Sequence, residues 1–228
     1  MGGSGADGDR EVIAESWSQE IAQPRQREET KGRLPAPTIF FFFEGERNII
    51  FSLRIWLEER SRRYLDDGQM IKIGVISDTH LSRPTEELAA LMEGPFQGAE
   101  MILHAGDLTE LAVLDAFSGR KVIAVCGNMD SAAVRQGVPG HRVFQAGLFT
   151  IGLIHGWGGP SGIEERIARE FKGVDCIVYG HTHRPSRRER EGVFFFNPGF
   201  FGGGLGMSPR SVGLLKLGDS ISAEIIYL

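Results

Sequence analysis

Asp78-Thr79-His80, Gly106-Asp107, Gly127-Asn128, His155 and Gly180-His181-Thr182-His183 form a series of oxygen- and nitrogen-bearing side chains, each following an apolar run. Hard divalent ions prefer carboxylate and amide oxygens, borderline ones accept imidazole, and a shared carboxylate can hold two cations close together. The set therefore reads as a two-metal hydrolase centre, in which coordinated water becomes a nucleophile. Each group taken singly has a plainer reading. Asp78 and Asp107 could be strand-end turn residues, and Asn128 could occupy a left-handed turn. In an extended Asp-x-His, however, both side chains leave one face of the backbone and can approach one ion. The Asn128 amide can offer its oxygen to a metal and its nitrogen to a phosphoryl oxygen, which no carboxylate can do. His104 lies within a strand-like run and suits a hydrogen-bonded core or supporting role. His141 reads as a loop residue.

In this order and with these short spacings, followed by Asn197-Pro198-Gly199, the series resembles the calcineurin-like metallophosphoesterase superfamily. The resemblance covers most of residues 70–228 and is strongest to the small single-domain phosphodiesterases of bacteria and archaea. It implies an α/β fold of two face-to-face mixed β-sheets flanked by helices, an αββα sandwich. It also implies that Asp78, His80, Asp107 and His183 surround one metal, that Asp107, Asn128, His155 and His181 surround the other, and that Asp107 bridges them. The implied cofactors are two divalent ions, Mn²⁺ in the first place, with Ni²⁺, Fe²⁺, Mg²⁺ or Zn²⁺ as alternatives. The implied reaction is phosphodiester hydrolysis by a hydroxide bridging the two ions, with Asn128 as catalytic and substrate-orienting residue.

Two positions depart from the resemblance. Met129 stands where many members have a His thought to protonate the leaving group, although the small branch commonly lacks it, and methionine cannot donate a proton. Asp130 is then a substitute acid, or the leaving oxygen departs without one. Phe200 stands where the branch usually has Ser, before the glycine-rich Gly202-Gly203-Gly204 and Arg210. The alternative function is a catalytically weak, metal-binding interaction scaffold, as in the retromer subunit that shares the family fold. Among the arginines after the last ligand pair, Arg184 is the candidate substrate contact. Arg187, Arg188 and Arg190 alternate with Glu189 and Glu191 as in a solvated hairpin.

The elements that must position these groups alternate. Strands are expected at 71–77, 101–105 and 121–126, with helices near 84–92 and 109–117 between them and a loop through Gly140 after them. Glu86 and Glu87 suit the first turn of the earlier helix. This βαβαβ start favours parallel pairing. Strands near 142–146 and 149–154, a helix near 161–171, a strand at 174–179 and strands at 193–196, 212–217 and 221–227 follow. Successive strand ends would thus deliver the candidate ligands to one sheet edge.

The whole chain sets wider bounds. At 228 residues, 41% hydrophobic and 24% charged, it suits one sizeable core with an extension. Residues 1–69 carry 10 basic and 13 acidic side chains, and the remainder 15 and 17. Neither part has the basic excess of a duplex nucleic-acid binder. Cys126 and Cys176 match no zinc or redox spacing and read as buried thiols of a cytoplasmic protein. The apolar segment 49–57 is interrupted by Arg54 and falls short of the roughly 20 residues of a spanning helix. Residues 1–36 read as disordered, 38–43 as β-prone and 46–65 as an amphipathic helix. Met70, directly before the first strand, suggests an alternative: residues 1–69 are an extension arising from an upstream start. The oligomeric state is open, a homo-oligomer among the options.

Overall fold

The computed structural model describes residues 70–202 and 209–228. The expectations for 1–36, 38–43 and 46–65, the alternative start at Met70, and Gly203 and Gly204 lie outside the described residues or concern them. The first sheet runs through β1 (Ile71–Ile76), β2 (Met101–His104), β3 (Lys121–Ala124), β9 (Ser211–Leu217) and β10 (Ile221–Tyr227) in the order β10-β9-β1-β2-β3. The second runs through β4 (His141–Ala146), β5 (Phe149–Ile154), β6 (Cys176–Val178), β7 (Ser186–Arg190) and β8 (Val193–Asn197) in the order β4-β5-β6-β8-β7. In the first sheet β1, β2 and β3 are parallel, with β3 at the edge and antiparallel β9 and β10 on the other side of β1; in the second the three central strands β5, β6 and β8 are parallel, with β4 antiparallel against β5 and β7 against β8.

Parallel strands covered on both faces need apolar side chains on both, and this explains the sequence runs. In β1 every residue except Lys72 is buried. Ile73 and Val75 face inward with Leu103, Ile151, Val178, Phe196 and Leu215, forming the layer between the sheets. Ile76 and Ile102 face outward, where Leu88, Phe96, Val113 and Phe117 cover the first sheet. Ile163, Ile167 and Phe171 cover the second sheet over Ile177 and Phe195. The layers are helix, sheet, sheet, helix, as the resemblance implies.

The covering helices are short. α1 (Glu86–Ala90) starts at Thr85, whose side chain accepts from the Leu88 N–H, and carries Glu86 and Glu87 in its first turn. α2 (Ala132–Gly137) starts at Ser131, which accepts from Val134 N–H, and α3 (Ile163–Ala168) carries Glu164 and Glu165 in its first turn. Helices of five or six residues cannot stand alone in water; capping and the buried Leu88, Val134 and Ile167 hold them.

Three expectations need correction. The segment after Asn128 is not loop through to Gly140, because Ser131 caps α2 and Val134 packs with Leu108, Ala124 and Val138. The 109–117 segment forms a 3-10 helix at Leu111–Phe117 rather than an α-helix. His141 opens β4 instead of lying in a loop, and its ring meets Phe171 edge-on at 5.9 Å. The arginine-rich stretch does form an exposed hairpin strand, β7, paired antiparallel with β8.

Candidate metal centre

The parallel strands β1, β2, β3, β5 and β6 all end at one edge of the sandwich, and each delivers a candidate ligand there. Asp78 and His80 follow β1, Asp107 follows β2, Asn128 follows β3, His155 follows β5, and His181 and His183 follow β6. His183 Nε2 lies 3.2 Å from Asp78 Oδ1 and 3.5 Å from His80 Nε2. His155 Nε2 lies 3.4 Å from Asp107 Oδ2 and 3.9 Å from Asp78 Oδ1. Asp107 Oδ2 is also 3.9 Å from His80 Nε2. Two groups of donors therefore lie close enough to hold ions, Asp78-His80-His183 and Asp78-Asp107-His155. A third convergence joins Asn128 Oδ1 and His181 Nδ1 at 3.0 Å.

The hydrogen bonds around these groups decide which atoms are left over. His155 Nδ1 lies 2.8 Å from Ala105 O; a carbonyl can only accept, so Nδ1 carries the proton and Nε2 of the neutral ring presents its lone pair inward. His181 Nε2 lies 2.8 Å from Gly158 O. The same argument leaves its Nδ1 lone pair facing the Asn128 oxygen, two acceptors without a proton between them. Asp78 Oδ2 accepts from Ser77 Oγ at 2.5 Å and from His181 N–H at 3.1 Å. Asp107 Oδ1 accepts from Met129 N–H at 2.7 Å. Each carboxylate thus has one oxygen anchored and one turned to the centre.

Asp78 Oδ1 and His155 Nε2 are fully buried and make no hydrogen bond, and Asp78, Asp107 and His155 are no more than 3% exposed. Two carboxylates so buried are costly unless a positive charge compensates them. Burial pushes His155 down, but the Asp107 and Asp78 carboxylates outweigh it and its pKa lies above the ordinary histidine value. Burial likewise pushes Asp107 up, and His155 together with the Met129 N–H brings it below the ordinary carboxylate value. Both shifts report a site whose anions seek a cation. The oxygen and imidazole donors fit divalent metal ions.

The convergence of Asp78 and His80 does not come from an extended strand. Their φ angles are 53° and 49°, and Asp107, His181 and His183 stand at 53°, 69° and 55°. Among the described residues seven non-glycine residues have positive φ, and five of them are candidate ligands. L-residues avoid this region at a cost of about 1–2 kcal/mol each, so its concentration here marks a built site. The N–H groups of Asp78 and His80 donate to Gly106 O and Asp107 O, both at 3.0 Å, which holds the turns. Asn128, by contrast, is not among the positive-φ residues, so the left-handed turn reading fails for it. The glycines before ligands have a packing reason: a Cβ on Gly106 (φ 93°) would meet the His155 ring at 2.7 Å, and one on Gly180 would come within 2.8 Å of Asp78 Oδ2.

Other residues of interest have clear places. Asp130 is buried and accepts from Thr109 N–H at 2.5 Å and Gly127 N–H at 2.6 Å. Both its oxygens serve as backbone acceptors, which corrects its candidacy as a proton donor. Met129 is 60% exposed. His104 is fully buried beside Thr79 Oγ1 at 3.2 Å, in keeping with a supporting role. Cys176 is buried, but Cys126 is only half-buried and lines an open cavity with Asn128 and His155. Arg184 lines a different cavity, with Arg188 and Glu164. Arg210 is committed to Glu87 Oε1 at 2.5 Å and to the Phe201 ring, 4.7 Å from its centroid.

Three sets of contacts could not be read from the sequence. Phe200 is buried and stacks on His183, with ring centroids 4.5 Å apart and planes at 23°, and lies 6.0 Å from His80. Arg135 Nη2 donates to Asn128 O at 2.6 Å. Buried Asn197 donates to Gly180 O at 2.8 Å and Thr182 Oγ1 at 3.1 Å, while its own oxygen accepts from Gly199 N–H. The Asn-Pro-Gly motif was the only sequence signal for this last group.

Residues 71–220 match the calcineurin-like phosphoesterase superfamily domain. A probable metallophosphoesterase of Methanothermobacter thermautotrophicus is 38% identical over 165 residues, covering 68% of this chain and 91% of the relative. A phosphodiesterase of Escherichia coli K12 is 30% identical over 171 residues, covering 64% of this chain and 88% of the relative. Among solved structures, Vps29 of Entamoeba histolytica complexed with Zn²⁺ superposes with a TM-score of 0.53 at 23% identity, over 69% of this chain and 99% of that one. The last likeness is one of fold. No helix of the described residues is long and apolar enough to cross a membrane.

Proposed function

The chain belongs to the calcineurin-like phosphoesterase superfamily, and on that premise we propose that it is a metal-dependent phosphodiesterase with two divalent ions, most naturally Mn²⁺. The observation that carries the reading is the pair of buried, unpartnered atoms Asp78 Oδ1 and His155 Nε2, both turned toward the same convergence as Asp107 Oδ2. In this assignment Asp78, His80, Asp107 and His183 hold one ion. Asp107, Asn128, His155 and His181 hold the other, and Asp107 is shared. Two such ions supply a hydroxide nucleophile near neutral pH and neutralise charge on the phosphoryl oxygens.

The remaining roles belong to the chain. Ser77 and the His181 N–H fix Asp78 Oδ2, and the Met129 N–H fixes Asp107 Oδ1, so each carboxylate presents a defined oxygen. Ala105 O and Gly158 O set the tautomers of His155 and His181. Arg135 steadies the Asn128 backbone, leaving the Asn128 amide to orient a phosphoryl oxygen. Asp130 is committed to two backbone N–H groups and Met129 has no proton to give, so the leaving oxygen departs without a side-chain acid. Among diesters bound alike, those with acidic leaving groups are therefore cleaved faster.

The scaffold alternative is disfavoured because all seven ligand positions are filled by competent donors. The phosphodiesterase name of the E. coli relative supports the choice of diester. Activity on bis(4-nitrophenyl) phosphate is measured across Mn²⁺, Ni²⁺, Fe²⁺, Mg²⁺ and Zn²⁺, beside Asp78→Asn and His155→Ala. Turnover that needs metal and disappears in both variants is expected. Stoichiometric metal binding without turnover would move the protein to the scaffold class.

A further inference from the structure

The open cavity of about 520 Å³ beside Asn128 and His155 is also lined by Trp157, Arg135, His141 and Glu170. Trp157 follows His155 by two residues and is 44% exposed. Isolated exposed apolar side chains need no explanation, but the loop that carries this one is held in an unusual way. Arg166, on α3, donates from Nε and Nη2 to Trp157 O at 3.2 and 3.0 Å, from Nη1 to Ser161 O at 2.8 Å, and also to Gly159 O. His181 Nε2 donates to Gly158 O from the other side. The loop that carries the ring is thus fastened to α3 and to a candidate metal ligand. Among the described residues the indole has no aromatic or guanidinium stacking partner.

A large flat ring, exposed on an anchored loop and lining the same cavity as two candidate ligands, offers a surface for another flat ring. Resting on the proposed phosphodiesterase reading, we infer that Trp157 is the stacking platform for a nucleobase, and that the substrate class is a nucleotide phosphodiester. The phosphoryl group lies at the Asn128 and His155 end and the base lies over Trp157. Arg135 lines the same cavity and adds positive charge to it, with Glu170 also on its wall. Base-on-aromatic stacking tolerates any base, so the subsite selects diesters that carry a base over those that carry none, without choosing strongly among bases.

The experiment separates the base from everything else by comparing adenosine 5′-monophosphate with ribose 5-phosphate. Both are titrated by calorimetry into the Mn²⁺-loaded full chain, wild type, Trp157→Ala and Trp157→Phe. The nucleotide should bind wild type about tenfold more tightly than the sugar phosphate. Trp157→Ala should bring the two within about twofold, and Trp157→Phe should keep most of the difference. Equal affinities in wild type, an equal loss for both ligands in Trp157→Ala, or no binding of either at millimolar concentration would overturn the inference. Turnover of bis(4-nitrophenyl) phosphate by the same preparations tests the phosphodiesterase reading separately, since the binding comparison requires no chemistry.

Discussion

Lowering the pH from 7 toward 4 will remove stability through His104, a residue outside the ligand set. Its ring is fully buried, touches Thr79 between two candidate ligands, and has no partner for Nδ1. Burial is the main cause that drives its pKa from 6.5 down to about 4, against the opposing pull of Asp78. The unfolded chain takes up this proton near 6.5 and the folded chain only near 4. Between those values the unfolded state binds more protons, so the contribution is fully present above 6.5 and is lost as pH falls through the window. The interval is worth about 3 kcal/mol in all, and about 2 kcal/mol by pH 5. Urea unfolding at pH 7, 6 and 5 in the presence of chelator, for wild type and His104→Gln, measures it. Histidines and carboxylates common to both proteins largely cancel in the difference. That difference should shift by about 2 kcal/mol against wild type between pH 7 and 5. A difference constant with pH would show that His104 is not held neutral, and the reasoning from burial would fail.

Four further outcomes follow from the site. Asp107→Asn should lose one metal equivalent by elemental analysis and lower activity by at least about 100-fold, because in the proposed assignment one carboxylate serves both ions; full occupancy would refute the shared role. Phe200→Ser should weaken metal binding about 10- to 100-fold and lower stability by about 3 kcal/mol, since the ring backs His183 and His80; calorimetry and thermal unfolding read the two effects separately. Met129→His should flatten the dependence of rate on leaving-group acidity, with metal content measured alongside, while a wild type already insensitive to the leaving group would show an acid in place. Deleting residues 1–69 should leave turnover within a small factor, as every proposed ligand lies beyond Met70; a folded, metal-loaded but inactive truncation would show that the extension completes the site.

The strands were legible because parallel strands covered on both faces need uninterrupted apolar runs, and Ile71–Ile76 or Phe149–Ile154 leave little else to read. The convergence of the candidate ligands was legible because their types are unusual directly after such runs. What escaped was whatever depends on backbone excursions or through-space pairing. Asp78-Thr79-His80 reads as extended by alternation, yet left-handed φ at both ends brings its side chains together. Asp130 looked like a spare acid because nothing in one dimension reveals Thr109 N–H and Gly127 N–H beside it. Phe200 stood out only as a departure in kind, and its reason is the His183 ring it stacks against.

The left-handed ligands and the unpartnered donors describe one energetic fact. Five non-glycine residues at positive φ represent on the order of 5 kcal/mol held against intrinsic preference, comparable to the whole stability of many domains. The hydrogen bonds at Gly106 O and Asp107 O offset part of it, yet they leave two carboxylates and a histidine facing one another in a buried edge. Divalent ions would compensate that residue of charge, so metal binding and folding would draw on the same free energy. The arrangement also explains why the anchoring contacts are so numerous. With one oxygen of Asp78 tied to His181 N–H and one of Asp107 to Met129 N–H, the loops resist relaxing away from each other to relieve the repulsion. The fold therefore keeps the donors assembled before any ion arrives, which is the condition for candidate ligands drawn from five separate strand ends to act as a single centre.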